Sequence, residues 1–334
     1  MKLSDFDYAL PKELIAQEPL RRRDASKLMV LRGDNIEHRI FREIVRYLER
    51  GDLLVFNNSR VIPARLKGKK STGGRVELLL VKELEENLWE CLFKGKLRES
   101  MEIIFPSGIH ARVENKSEGK LVVRFSGGDI RQAMWKIGEM PTPPYIKRRV
   151  DNPEEYQTVY ASKDGSIAAP TAGFHFTQEL LAELRSRGVE FAFITLHVGL
   201  GTFLPVKVEE VEKHRMHEEH FEIPRNEAEK INRALEEGCR VFAVGTTTVR
   251  ALESAFQDGG VVPGVSTTTL FIYPGYEFRL PYAGLITNFH LPRSTLLMLV
   301  SAFAGRERIL RAYQEAIKHR YRFYSFGDAM LIFR

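Results

Sequence analysis

Cysteine is scarce in this sequence: two in 334 residues, Cys91 and Cys239, each beside a strand-like run and without C-x-x-C spacing. That scarcity excludes a disulfide framework and reads as reduced thiols in a reducing compartment. Long apolar runs are missing too. The opening residues Met1-Lys2-Leu3-Ser4-Asp5-Phe6-Asp7 hold no signal-peptide core, and the most apolar stretch, residues 296–304, is too short to span a bilayer. The expectation is a soluble chain of the cytoplasm with no membrane partner. At this length two domains are expected, because a single hydrophobic core rarely grows so large.

Acid is absent where base is dense. Residues 60–75 carry Arg60, Arg65, Lys67, Lys69, Lys70 and Arg75 without one carboxylate, inside a chain of net charge +6. Arg21-Arg22-Arg23 and Lys147-Arg148-Arg149 are further clusters, and Arg306, Arg308, Arg311, Lys318, Arg320 and Arg322 crowd the end. Such clusters suit phosphate binding. A solvated surface is the alternative.

Hydrophobic periodicity splits the chain. Residues 76–81, 88–93, 101–105, 109–113 and 120–125 are short strand candidates separated by polar or glycine-containing turns. Their even spacing predicts a small barrel or sandwich. Met140-Pro141-Thr142-Pro143-Pro144 then interrupts regular structure, as a linker would. Elsewhere helices and strands alternate in an α/β pattern. Strands are expected at 52–56, 189–196, 240–244, 267–273 and 284–287. Helices are expected at 178–187, 227–237, 247–256, 295–303 and 306–319, with Gly188 and Gly238 as stops and Asn226 with Glu229 as a capping box.

Polar clusters gather at the predicted strand ends, where α/β folds place ligand loops. Asn57, Asn58 and Arg60 follow a buried strand; amides can read a base edge and a guanidinium can hold an anion. A capped polar turn is the plainer alternative. Thr171, Gly173 and His175 precede a helix that Thr177 is placed to cap. The glycine permits close backbone approach, and the free amides of the helix start suit a carboxylate. His175 could equally pack between Phe174 and Phe176.

A third cluster runs from His197 through Gly199, Gly201 and Thr202 to His214, His217, Glu218 and His220. Three histidines at spacing three suggest metal ligands, but no cysteine lies near and no H-E-x-x-H pattern occurs. Acid–base work by His217 beside Glu218 fits better, and no metal is expected. The fourth, Gly245-Thr246-Thr247-Thr248-Val249-Arg250, is neither a P-loop nor a dinucleotide fingerprint, yet its amides and hydroxyls can hold an anion. Thr287-Asn288-Phe289-His290 is a similar strand exit.

The strings at 57–66, 169–177, 195–206, 214–218, 244–250 and 287–300, with 6–11 and 23–28, resemble the signature blocks of the S-adenosylmethionine:tRNA ribosyltransferase-isomerases, in order and over nearly the whole chain. Two departures stand out. Phe174 replaces a common leucine, which implies a modest change of pocket shape, and 281–284 lacks the acidic residue often found there. The resemblance implies an α/β body, residues 1–60 and 149–334, with an inserted β-barrel, residues 61–148.

It also implies a reaction in queuosine biosynthesis. The ribosyl group of S-adenosylmethionine moves onto 7-aminomethyl-7-deazaguanine at the wobble position of tRNAs with GUN anticodons. Epoxyqueuosine-tRNA, adenine and methionine result. S-adenosylmethionine is consumed, so no separate cofactor is expected. The sulfonium acidifies its neighbouring 5′ carbon, and a base must take that proton. His197 and His217 are the preferred candidates, followed by His175 and His290, with Glu218 as the carboxylate alternative. Thr171, Gly173, Gly199, Gly201, Thr202, Gly245, Thr246, Thr247 and Arg250 are expected around S-adenosylmethionine. Asn57, Asn58, Arg60, Arg65, Lys67, Lys69, Lys70 and Asn288 are expected toward the tRNA. A monomer is favoured. Two other classes are weighed. An S-adenosylmethionine-dependent RNA methyltransferase should show a glycine-rich first strand–turn–helix, which is absent. A non-catalytic RNA-binding barrel leaves the strand-end clusters without a use.

Overall fold

The computed structural model describes residues 1–117, 119–199, 201 and 206–334. The body opens with β1 (Lys27–Arg32), β2 (Asn35–Ile40), β3 (Leu53–Asn57) and the short β4 (Ser59–Val61). Six barrel strands follow: β5 (Arg65–Lys70), β6 (Arg75–Glu85), β7 (Leu88–Lys94), β8 (Glu102–Ile104), β9 (His110–Ser117) and β10 (Lys120–Ser126), then α1 (Ile130–Ile137). The chain rejoins the body at β11 (Lys163–Ser166), which pairs in parallel with β4. Next come α2 (Gln178–Ser186), β12 (Glu190–Leu196), β13 (Glu219–Ile223), α3 (Arg225–Glu236), β14 (Val241–Val244) and α4 (Thr246–Ala255). The ribbon of β15 (Phe256–Gln257) and β16 (Gly260–Val261), then β17 (Gly264–Thr268), β18 (Tyr282–Asn288), α5 (Thr295–Ala304), α6 (Arg306–Lys318) and β19 (Ala329–Phe333) complete it.

Nine strands form one sheet in the order β17-β13-β12-β3-β14-β18-β19-β1-β2. Within it β12, β3, β14 and β18 run parallel. Every residue of β3 and β14 is buried, as a parallel sheet covered on both faces requires. Alternation assigns the faces. Leu53, Val55, Val241 and Ala243 join the core containing residues of α3 to α6, while Leu54, Phe56, Phe242 and Val244 join the one containing α2 and the turn Phe41–Arg46.

The barrel closes in the order β10-β7-β6-β5-β8-β9, every neighbour antiparallel. Closure leaves no unpaired edge. Its separate core takes Leu66, Leu78, Leu80, Cys91, Val113 and Leu121 from alternating positions. The fold is therefore an α/β body with an inserted antiparallel barrel. In the basic run, Leu66 and Gly68 turn inward between outward Arg65, Lys67 and Lys69, so a strand lies inside what composition marks only as charge.

Both glycine stops follow their helices with left-handed backbone, φ 86° at Gly188 and 69° at Gly238. Thr177 caps α2 by accepting from the Leu180 amide at 3.2 Å. Two local expectations change. The helix expected to follow Asn226 begins at Arg225 after Pro224, and the expected capping box is not built there. The strand expected at 267–273 ends at Thr268, whose hydroxyl accepts from the Leu270 amide at 3.0 Å and turns the chain aside.

Candidate active site

The parallel strands share one carboxyl edge, where α/β sheets bind ligands. There β3 ends in Asn57, β14 is followed by Gly245, and β18 ends in Asn288. A cleft opens at this edge. Segments 169–172, 245–247 and 287–291, distant in sequence, meet around it, joined by Tyr145, Val198 and Tyr324. Of the expected site residues, Thr171, Gly245, Thr246, Thr247, Asn288 and His290 line this cleft. Gly245 has φ 94°, a backbone that lets the first turn of α4 face the opening.

Behind the lining lies a hydrogen-bonded scaffold. The buried Asn288 amide donates to His175 Nε2 at 3.1 Å and to the Tyr324 carbonyl at 3.2 Å, and its oxygen accepts from the Thr171 hydroxyl at 3.0 Å. That donation leaves the His175 proton on Nδ1, 2.7 Å from Ser26 Oγ. Burial, aided by Arg322 and Arg23, pulls His175 down to about 3, and its ring stacks on Phe41. His175 is thus a neutral wedge behind the wall. Asn57 is equally committed. It bridges the Leu196 backbone in both directions at 3.0 Å, accepts from Ser59 N at 3.0 Å and donates to Thr247 Oγ1 at 3.2 Å. Asn58 accepts from Thr195 Oγ1 at 2.7 Å.

The other histidines sit differently. His290 lines the cleft with Nε2 2.8 Å from Thr287 Oγ1, and burial pulls it down to about 3. His197 is half-buried, its Nδ1 lacks a hydrogen-bond partner among the described residues, and burial, reinforced by His220, lowers its pKa. His217 is exposed and packs on Gly201, where a Cβ would come within 2.7 Å of its ring. Thr202 lies outside the described residues. Among the described residues, the His/Cys/Asp/Glu group close enough to share a cation is His38, Glu315 and His319, not the histidines at 214–220.

Glu218 is exposed, whereas its neighbour Glu219 is buried and pairs with buried Arg250. Glu219 also accepts from the Gly199 amide at 2.8 Å, and Arg250 donates to the Leu270 carbonyl at 2.9 Å. Arg250 and Glu219 therefore tie α4, β13 and Gly199 together from outside the cleft lining. Gly173 has a packing role as well, since a Cβ there would lie 1.9 Å from the Tyr160 hydroxyl. Phe174 packs against Tyr156 and stacks on Phe326, away from the cleft lining, so this departure shapes a seam rather than the pocket. The sequence singled out neither Glu219 nor the tyrosines of the cleft. Adjacent glutamates look alike until strand pairing decides which one turns inward.

On the barrel, Lys67, Lys69, Lys70, Arg75 and Lys94 surround a second groove with Glu77 as its carboxylate and Phe105 in its apolar wall. Some of this charge is already paired. Lys67 meets Glu139 at 2.7 Å, Arg65 reaches the Thr142 carbonyl at 3.1 Å, and Arg60 meets Glu154 at 2.9 Å while lying over Trp135.

Residues 3–332 match the family described as queuosine biosynthesis protein. Proteins named S-adenosylmethionine:tRNA ribosyltransferase-isomerase from Thermotoga maritima and Carboxydothermus hydrogenoformans are 55% and 54% identical, each over 99% of this chain and 100% of the relative. The solved structure of S-adenosylmethionine tRNA ribosyltransferase from Thermotoga maritima aligns with a TM-score of 0.58 at 42% identity, covering 98% of this chain and 100% of that one. With near-complete coverage on both sides, the chain belongs to the S-adenosylmethionine:tRNA ribosyltransferase-isomerase family.

Proposed function

We propose that this enzyme moves the ribosyl group of S-adenosylmethionine onto 7-aminomethyl-7-deazaguanine in tRNA and isomerises it, giving epoxyqueuosine-tRNA, adenine and methionine. The observation that carries the reading is the meeting of 169–172, 245–247 and 287–291 in one cleft of a chain that its relatives match end to end. S-adenosylmethionine occupies this cleft, with Thr171 on one side, Asn288 toward the incoming tRNA base and the first turn of α4 supplying amides and hydroxyls to its carboxylate. Arg250, through Glu219 and the Gly199 amide, supports that turn from behind.

The sulfonium makes the 5′ carbon acidic, so the site needs a base and a donor to the departing adenine. His197 and His217 remain the first candidates for the base: His197 precedes Val198 of the cleft lining, and His217 packs on Gly201. His290, His175 and Glu218 follow. Residues 61–148 act as the domain that receives the anticodon arm of GUN tRNAs, through Lys67, Lys69 and Lys70, with Asn57, Asn58, Arg60 and Arg65 at the junction. Residues 1–60 and 149–334 form the catalytic domain. The enzyme works as a monomer in the cytoplasm; no helix among the described residues is long and apolar enough to cross a membrane.

The test is incubation with S-adenosylmethionine and tRNA carrying 7-aminomethyl-7-deazaguanine at the wobble position. Equimolar adenine, methionine and epoxyqueuosine nucleoside are expected. S-adenosylhomocysteine instead would overturn the reading in favour of methyl transfer.

A further inference from the structure

A purine needs a flat partner. Much of the cleft wall is small, built from alanines, threonines and a glycine, and its rings are Phe289, His290, Tyr145 and Tyr324. Phe289 is fully buried in the core and His290 is held on Thr287, while the two tyrosines stand beside each other. Tyr324 and Tyr145 both line the cleft, with ring centroids 4.8 Å apart and planes inclined by 53°.

Each is held with unusual care. Tyr324 has φ 72°, a left-handed backbone that a bulky residue seldom adopts and that clusters at functional sites. The conformation is fixed from both ends, by the Tyr324 amide on the Phe289 carbonyl at 3.1 Å and by Asn288 on the Tyr324 carbonyl at 3.2 Å. Tyr145 comes from elsewhere: it follows the proline-rich stretch by which the chain returns from the barrel. Its hydroxyl lies 2.8 Å from Ser325 Oγ, and its carbonyl accepts from Gln17 Nε2 at 2.9 Å. Gln17 accepts in turn from the Lys147 amide at 3.0 Å, so one side chain pins the linker on both sides of Ile146.

We propose that Tyr145 and Tyr324 form a stacking wall for a flat purine-like heterocycle, with Tyr145 tying that wall to the linker from the barrel. The inference rests on the proposed reaction, which brings two such rings to one cleft: the adenine of S-adenosylmethionine and the deazaguanine of the tRNA. Aromatic stacking recognises either by its π-face, while neighbouring hydroxyls and amides meet the ring edges.

Three variants separate stacking from mere packing. Tyr145→Leu removes the ring but keeps apolar bulk. Tyr145→Phe and Tyr324→Phe keep the rings and lose only hydroxyls. S-adenosylmethionine, free adenine and an anticodon stem-loop bearing the modified base are titrated separately, with thermal midpoints measured in parallel. Tyr145→Leu is expected to weaken one heterocycle by roughly tenfold or more, whereas both Phe variants stay within about threefold of wild type. Loss confined to S-adenosylmethionine and adenine identifies adenine as the stacked ring; loss confined to the stem-loop identifies deazaguanine.

Wild-type protein supplies a readout independent of folding in the variants, because stacking lowers the ultraviolet absorbance of the bound heterocycle. A folded Tyr145→Leu with unchanged affinity for all three probes overturns the proposal. So does a Phe variant as damaged as Leu, or a bound heterocycle in wild type without hypochromism. Wild-type protein that turns over neither substrate would instead defeat the reaction assignment.

Discussion

The body and the barrel use polar side chains in opposite ways. Around the cleft they are neutral, buried and mutually bonded: Asn57 is 0%, Asn288 3% and His175 3% exposed. Around the barrel groove they are cationic and open to water, with the Lys67 and Lys94 side chains 58% and 77% exposed. A buried hydrogen bond fixes position because losing it strands its partner without water. An exposed ammonium fixes little, but it attracts polyanions over a distance set by salt. Fixed polar geometry thus belongs to the body, and exposed positive charge to the barrel groove.

The sharpest way to break this contrast uses two adjacent carboxylates. Glu219→Gln leaves the buried Arg250 charge without its counter-ion, and breaking a buried pair costs roughly 3–5 kcal/mol. Glu218→Gln alters only an exposed residue and should leave stability unchanged within about 0.5 kcal/mol. Urea unfolding of both variants checks this. Equal losses would mean that the two side chains are not divided between core and surface as described.

Asn288→Ala comes next. It strips the donor from His175 Nε2 and the acceptor from Thr171, and leaves the Tyr324 carbonyl with the Gly327 amide alone. Stranded buried groups cost about 1–3 kcal/mol each when nothing replaces the bond. Turnover per folded molecule should drop on the order of a hundredfold, because the cleft wall loses its alignment. Turnover near wild type, with stability reduced, would reduce Asn288 to a structural brace.

The buried imidazoles add a dependence on acid. His175 and His290 are both held near 3, below the ordinary value of 6.5. Below about pH 6.5 the unfolded chain binds protons that the folded rings refuse, so stability falls as pH falls toward 3. The slope is about 1.4 kcal/mol per pH unit for each histidine across that window. His290→Gln should flatten the decline of the urea midpoint between about pH 6 and 4 relative to wild type. An unchanged slope would show that His290 takes up its proton in the folded state.

Legibility followed the same divide. The parallel strands β3, β12, β14 and β18 announced themselves as short apolar runs, because a doubly covered parallel sheet leaves them no other composition, whereas β1, β2, β13 and β19 of the same sheet were not expected. The signature clusters at 169–177, 244–250 and 287–300 pointed to a ligand edge, and parts of all three do meet in one cleft. What composition could not order was the depth of each polar residue. Asn57 and Asn58 are neighbours, yet Asn57 is a fully buried clasp and Asn58 a half-buried one. Tyr145 reaches the cleft from the linker, a contact that no local pattern encodes. On the barrel, β5 was hidden because its outward side chains are basic and only Leu66 marks its inward face as apolar.

The barrel lysines give the smallest expected change and the finest test of the comparison. Each ammonium that neutralises an RNA phosphate releases counter-ions, so the salt slope counts effective contacts at about 0.7 each for single strands and 0.9 for duplex. Lys67, Lys69 and Lys70 would naively contribute three. Lys67, however, already meets Glu139 at 2.7 Å, so in that pairing it brings little net charge to a phosphate. Lys70 directs its ammonium to the Lys96 carbonyl, an uncharged partner, and keeps its charge for the groove. Replacing Lys69 and Lys70 by alanine should therefore lower the slope by about 1.5, and adding Lys67→Ala should change it little further. Affinity for S-adenosylmethionine serves as the control and should not move, since these residues lie on the barrel groove and not on the cleft. If Lys67→Ala alone lowers the slope as much as Lys69→Ala, the Lys67–Glu139 pair opens when tRNA binds. If the triple variant keeps the wild-type slope, the groove is a solvated surface and the anticodon arm docks elsewhere.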